Sequence, residues 1–192
     1  MAGMDFTASQ RSLLLDIARR QIQQHLGRRA LPAVAEDDPV LIQPASCFVT
    51  LHATGERRLR GCIGQIRATG PLLESVKEMA MAVLDDPRFR VNPVTLDELP
   101  ELELEITVLS PLEPAATPLD FEPLQHGIYL NCQGESGCFL PQVARETGWT
   151  KEQLLSRLCT EKMGLPADSW QSPAARLSRF NAIIIGPEPF VR

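Results

Sequence analysis

The stretch Leu102-Glu103-Leu104-Glu105-Ile106-Thr107-Val108-Leu109 restricts the fold more than any other part of the chain. Apolar residues occupy positions 102, 104, 106 and 108, with polar residues between them. Successive side chains of a strand point to opposite faces, so this is a strand with one face in a core. Half-buried strands of this kind belong to antiparallel sheets, whereas parallel strands are covered on both faces and read as continuous apolar runs. Glu103 and Glu105 fall on the solvated face. A carboxylate pair for acid–base catalysis is the sharper alternative, but alternation accounts for both glutamates without chemistry.

A hairpin is expected earlier in the chain. Cys47 to Ala53 is rich in strand-forming residues, Thr54-Gly55-Glu56-Arg57 is a turn, and Leu59-Arg60-Gly61-Cys62-Ile63-Gly64-Gln65 is the returning arm. Two registers are open. With the turn centred on Gly55-Glu56, Cys62 lies opposite Val49 and shares a face with Cys47 and Leu51. A one-residue slip brings His52 onto the Cys62 face instead.

Helices are marked by their ends. Thr7 and Gln10 form a capping box opening a helix from about Ala8 to Leu26, with Gly27 beyond it and His25 solvated in its last turn. Pro32, Pro39 and Pro44 mark a surface loop. Pro71 starts a helix through Leu84, which Asp85-Asp86-Pro87 stops. Thr95 to Leu99 is a short helical turn. Ser110 to Asp120, with three prolines, is a structured loop. Leu124 to Asn131 enters a strand, Gly134 to Gly137 turns it, and Cys138 to Leu140 returns. Pro141 opens a helix ending near Gly148, and a Thr150–Gln153 capping box opens another that Gly164 closes. Ala182 to Ile185 is a strand that finishes before Gly186-Pro187. Hairpins and helices without repeated strand–helix–strand units indicate an α+β fold, with a mainly antiparallel sheet flanked by helices.

Candidate chemistry gathers in the hexapeptide Leu59-Arg60-Gly61-Cys62-Ile63-Gly64. Arg60 and Cys62 stand two residues apart in a strand, on one face and roughly 6.6–7 Å apart. A thiol beside a guanidinium is in the electropositive setting that favours thiolate. Gly61 and Gly64 leave the backbone bare for close approach by a ligand or another chain segment. The remaining cysteines behave as small buried apolar residues.

Composition removes several classes of function. A net charge of −5 argues against a nucleic-acid binder, and aromatic residues at 5% supply no base-stacking platform. No apolar run approaches the length of a membrane span. Histidines stand only at 25, 52 and 126, without metal-binding spacing, and there is no phosphate-binding loop or dinucleotide fingerprint, so no cofactor is expected. Five cysteines without a CxxC pair, and without an evident secretory leader, make reduced thiols in a cytoplasm the expectation.

The chain resembles the AMMECR domain family, also called AmmeMemoRadiSam system protein A. The resemblance rests on Cys47 to Leu51, the hexapeptide from Leu59 to Gly64, and Asp86-Pro87-Arg88-Phe89. It extends to Glu105 to Ser110, His126-Gly127-Ile128, Leu140 to Ala144 and Gly148-Trp149, all in order from about Gln10 to Phe190. Cys47, Cys138 and Gln65 depart mildly from the pattern. The resemblance implies one AMMECR-type domain over residues 1–192. It implies a larger and a smaller lobe, with the hexapeptide lining a cleft together with Asp86, Arg88 and Phe89. It also implies a Memo-type protein and a radical S-adenosylmethionine enzyme as associates, and brings no established reaction with it.

Three functional readings follow. In the first, Cys62 is a nucleophile or acid–base group, Arg60 lowers its pKa and binds an anionic substrate, and His126 is the base. In the second, the chain is a non-catalytic carrier or scaffold for the associated enzymes, binding a metabolite or peptide. In the third, the motif is structural, with Cys62 as core filler and Arg60 paired to a carboxylate such as Asp86.

Overall fold

The structure, a computed structural model, describes residues 5–27, 38–55 and 58–190; the loop at Pro32 and the turn residues Glu56 and Arg57 lie outside them. In chain order the helices and strands are α1 (Ala8–Gly27), β1 (Ser46–Ala53), β2 (Leu59–Gly64), α2 (Leu72–Ala82), β3 (Leu102–Leu109), β4 (Glu113–Pro114), β5 (Gly127–Cys132), β6 (Glu135–Phe139), α3 (Pro141–Thr147), α4 (Lys151–Arg157), β7 (Arg176–Phe180) and β8 (Ala182–Pro189). The chain divides into two compact units, a larger one of Met1–Leu109 with Ile183–Arg192 and a smaller one of Ser110–Ala182. The fold is α+β, with antiparallel strands flanked by helices in each unit.

The sheet of the first unit runs β2-β1-β3-β8. β3 has the bounds that alternation predicts. Leu102, Leu104, Ile106 and Val108 are buried with Cys47, Val49 and Leu51 of β1, in one core with residues of α1 and α2. Burying one such side chain is worth about 1.5–3 kcal/mol, so this face, more than the hairpin turn, holds the register. The capping box of α1 is closed in both directions, with Gln10 N–H donating to Thr7 Oγ1 and Thr7 N–H to Gln10 Oε1. Arg19 of α1 is buried and donates to Asp16, to Glu188 and to the carbonyl of Pro189, tying α1 to β8.

Two boundaries differ from expectation. α2 ends at Ala82, and the chain tightens into a 3-10 turn over Val83–Asp85. Asp86, held by Pro87 out of helical geometry, leaves at φ −54° and ψ 120°. β8 does not stop before Gly186-Pro187 but continues to Pro189. It is the edge of its sheet, where a proline's missing N–H costs no ladder bond.

The second unit carries the sheet β4-β7-β5-β6. Cys132 pairs with Glu135, so the hairpin turns on Gln133-Gly134, at φ 55° and 86°. Two central residues at positive φ make the tight turn that suits twisted strands, shorter than the four-residue span from Gly134 to Gly137. Cys138 pairs with Tyr129, and Cys132 is buried among Leu130, Leu158 and Cys159 in the unit's core. The Thr150–Gln153 capping box is formed, and α4 runs into a π turn over Leu158–Lys162.

Gly61 and Gly64 are required by neighbours on opposite sides of β2. A Cβ on Gly61 would come within 2.7 Å of the Val83 carbonyl oxygen, and one on Gly64 would overlap the Phe48 ring. Gly61→Ala therefore forces the Val83 turn away from the sheet. We expect it to lower the unfolding free energy by about 1–3 kcal/mol, read as a lower urea midpoint at unchanged slope.

Candidate functional site

The geometry around Cys62 follows from β2 being an edge strand. Its pairing with β1 sets Phe48 against Gly64, Thr50 against Cys62 and Leu51 against Gly61, then slips so that His52 faces Leu59. Arg60 is the extra residue of a β-bulge. Of the two registers open to the sequence, the one that places His52 on the Cys62 face is formed. The Cys62 N–H donates to Asp86 Oδ2 at 2.9 Å, and its carbonyl accepts from Arg88 Nη2 at 3.1 Å. Both backbone groups thus point away from β1. That makes Thr50–Cys62 a non-hydrogen-bonded pair, the kind in which side chains approach most closely. Thr50 Oγ1 accordingly donates to Cys62 Sγ at 3.3 Å.

The bulge changes the role of Arg60. Alternation would set its guanidinium beside the thiol, but the inserted residue breaks alternation at that point. Arg60 is 2% exposed. Its Nε and Nη2 donate to the two carboxylate oxygens of Glu98, and Nη2 also donates to the Asn92 carbonyl at 3.2 Å. The hydrogen bond from Arg60 holds the Glu98 carboxyl below its usual range, against the opposing effect of burial. Arg60 is therefore paired with Glu98, not with Asp86, and the pairing occupies the fork that an anionic ligand would need.

Arg88 is the arginine at the cysteine. Asp86, 1% exposed, accepts from Arg88 N–H at 3.0 Å, Nε at 3.0 Å and Nη2 at 2.6 Å, besides the Cys62 N–H. Those bonds, Arg88's side chain foremost, push its carboxyl down to about 2 against the cost of burial. Arg88 is itself raised, first by the bond to Asp86 and to a smaller degree by the Cys62 thiol. Its side chain is 55% exposed. Phe89 carries both guanidinium groups, Arg60 at 5.4 Å and Arg88 at 5.8 Å from the ring centre. Ile63 pairs with Val49 beside the site.

The AMMECR1 family profile matches residues 15–185. The chain belongs to the AMMECR1 family. Protein TK0174 of Thermococcus kodakarensis is 36% identical over 185 residues, covering 91% of this chain and 89% of the relative. A protein of Methanothermobacter thermautotrophicus is 38% identical over 179 residues, covering 89% and 91%. The crystal structure of the uncharacterized protein PH0010 from Pyrococcus horikoshii superposes with a TM-score of 0.78 at 34% identity, over 89% of this chain and 88% of that one.

Within β2, then, Cys62 keeps company with Thr50, Asp86 and Arg88, while Arg60 is directed to Glu98. His126 lies in the second unit, where its Nδ1 accepts the Glu122 N–H at 2.9 Å and its own N–H donates to the Glu122 carbonyl. That bond commits Nδ1 as acceptor in the neutral ring and leaves the proton on Nε2. Among the described residues no three His, Cys, Asp or Glu side chains are grouped to hold a metal ion. Asp86 was expected at the cleft, but its pairing with Arg88 was not, and Glu98 went unrecognised. An Asp-Pro step is an N-cap signal that could have marked Asp86 as the holder of Arg88. Glu98, 38 residues from Arg60, carries no such signal.

Two outcomes test these pairings. Asp86 has a folded pKa below its unfolded value, so its stabilisation is present above about pH 4 and is lost as pH falls toward about 2. Asp86→Asn should remove up to about 2 kcal/mol from that acid limb, measured as a flatter dependence of the urea midpoint on pH. Glu98→Ala strands the buried guanidinium of Arg60 and should cost about 3 kcal/mol in the same assay at neutral pH.

Proposed function

We propose that this AMMECR1-family protein is a cysteine-dependent enzyme that holds a small anionic substrate at Arg88 and presents its reactive carbon to Cys62. One observation carries the reading: the exposed guanidinium of Arg88 is fixed beside Cys62 by the buried carboxylate of Asp86. A guanidinium held through its Nε and Nη2 by such a carboxylate is pre-oriented, and in this half-exposed side chain Nη1 is the group left to meet an anionic oxygen. The Thr50 hydroxyl donates to the sulfur and fixes its direction on the strand face. In the chemical step the thiolate's electron pair forms a sulfur–carbon bond as the bond to the leaving group breaks. The Memo-type protein and the radical S-adenosylmethionine enzyme are proposed as associates on the strength of the family resemblance. A cytoplasmic setting is proposed because the five cysteines are free thiols.

A second reading keeps the anion site and omits the covalent step, making the chain a carrier or scaffold. It is favoured by the partial burial of Cys62, whose sulfur is already engaged by Thr50.

The anion site is tested by comparing iodoacetate with iodoacetamide at Cys62, located by peptide mapping with Cys62→Ser as control. The ratio of the two rates should exceed that of glutathione and fall to the glutathione value in Arg88→Gln. The same ratio in both proteins would sink the anion site. A Cys62 unreactive to either reagent would leave the carrier reading.

A further inference from the structure

The sheet face turned away from the core of the first unit carries a polar set that the fold does not need. β1 pairs with β3 without interruption, placing Phe48 opposite Thr107, Thr50 opposite Glu105 and His52 opposite Glu103. With the β1–β2 register, this makes two adjoining rows across three strands: Cys62, Thr50 and Glu105 in one, and Leu59, His52 and Glu103 in the next. Thr50 is 7% exposed, and His52, Glu103 and Glu105 are half-buried. The two glutamates therefore do not form the freely solvated edge that alternation alone suggests.

We propose that His52 is the proton acceptor for the Cys62 thiol, with the carboxylate of Glu103 beside it on the same face; the inference rests on the cysteine-dependent reading above. Residues directly opposite on one face have Cβ atoms about 4.5–5.5 Å apart, and diagonal neighbours about 7–8 Å, within reach of an aromatic side chain. His52 is directly opposite Glu103 and stands two residues along β1 from Thr50, the partner of Cys62, so the register sets it on one face between a carboxylate position and the thiol position. That is the order in which a base is oriented by a third group and reaches the nucleophile. In the step the Cys62 S–H bond breaks with its electron pair left on sulfur, and the proton forms an N–H bond on the imidazole. The imidazolium is then flanked by the thiolate and by Glu103.

The charged and titratable groups facing His52 are Cys62 on β2, and Glu103 and Glu105 on β3, with Arg88 and Asp86 beyond the cysteine. The two glutamates thus stand on the far side of His52 from the cysteine, and Arg88 on the far side of the cysteine from His52. Thr50, between Cys62 and Glu105 in its row, donates to the sulfur and keeps the thiolate turned along this face.

The test is the pH profile of Cys62 alkylation by the neutral reagent iodoacetamide, in the wild type and in His52→Gln. The wild-type rate should rise through an inflection below the free-thiol value of about 8.5. His52→Gln should move that inflection up by about one pH unit, a roughly tenfold slower reaction near pH 7. Coincident profiles, both inflecting low, would overturn the role of His52 and leave the cysteine reading intact with Arg88 as its support. A wild-type inflection at or above the free-thiol value would overturn both. An independent measurement needs no change at His52: its ring resonance is titrated by NMR in the wild type and in Cys62→Ser. Loss of the thiolate should lower its midpoint, and an unchanged midpoint overturns the proposal.

Discussion

The double pairing of β1 is the constraint on which the rest depends. Val49 and Leu51 must face the core with Leu104 and Ile106, which leaves Phe48, Thr50 and His52 no choice of side. β3 fixes this without a break, so β1 is not free to follow the register that the hairpin turn would suggest. The hairpin accommodates the conflict by inserting one residue in the outer strand. The bulge thus sits where two demands meet, an inner strand set by the core and an edge strand free to kink.

One consequence is a division between two arginines that look alike in sequence. Arg60 is drawn inward to Glu98 and the Asn92 carbonyl, where it braces the segment after Phe89. Arg88 is turned outward by Asp86, and Asp86 in turn satisfies the edge N–H of Cys62. An edge strand normally presents such groups to water or to a second strand. Here the Asp86–Arg88 side chains occupy that pair, which keeps the strand edge from recruiting another chain and fixes a positive charge at the cysteine.

Much of this was legible from residues whose meaning is local. The alternation of β3 and the reciprocal boxes at Thr7–Gln10 and Thr150–Gln153 depend on spacing alone, and they appear as expected. The hexapeptide, expected as the returning arm of a hairpin, forms β2. What it could not deliver was the side on which each residue works. Placing Arg60 requires knowing that a bulge falls on it, and that depends on the pairing of β1 with β3, which lies far along the chain. Pro187 misled for a related reason, because a proline reads as a strand breaker until its strand is known to be an edge.

The route of the chain through the first sheet has a further consequence. β3 and β8 are neighbours there, yet the whole second unit is strung between them. The fourth strand reaches the sheet only as the last part of the chain, so the bond from Phe190 N–H to the Leu102 carbonyl and the grip of Arg19 on Glu188 and Pro189 close late. Chain closure over such a span is slow compared with forming the β1–β2 hairpin. The strands that hold Cys62, Thr50 and His52 can therefore assemble before the sheet is complete, and β8 is added at the edge opposite Cys62, beside a site already in register.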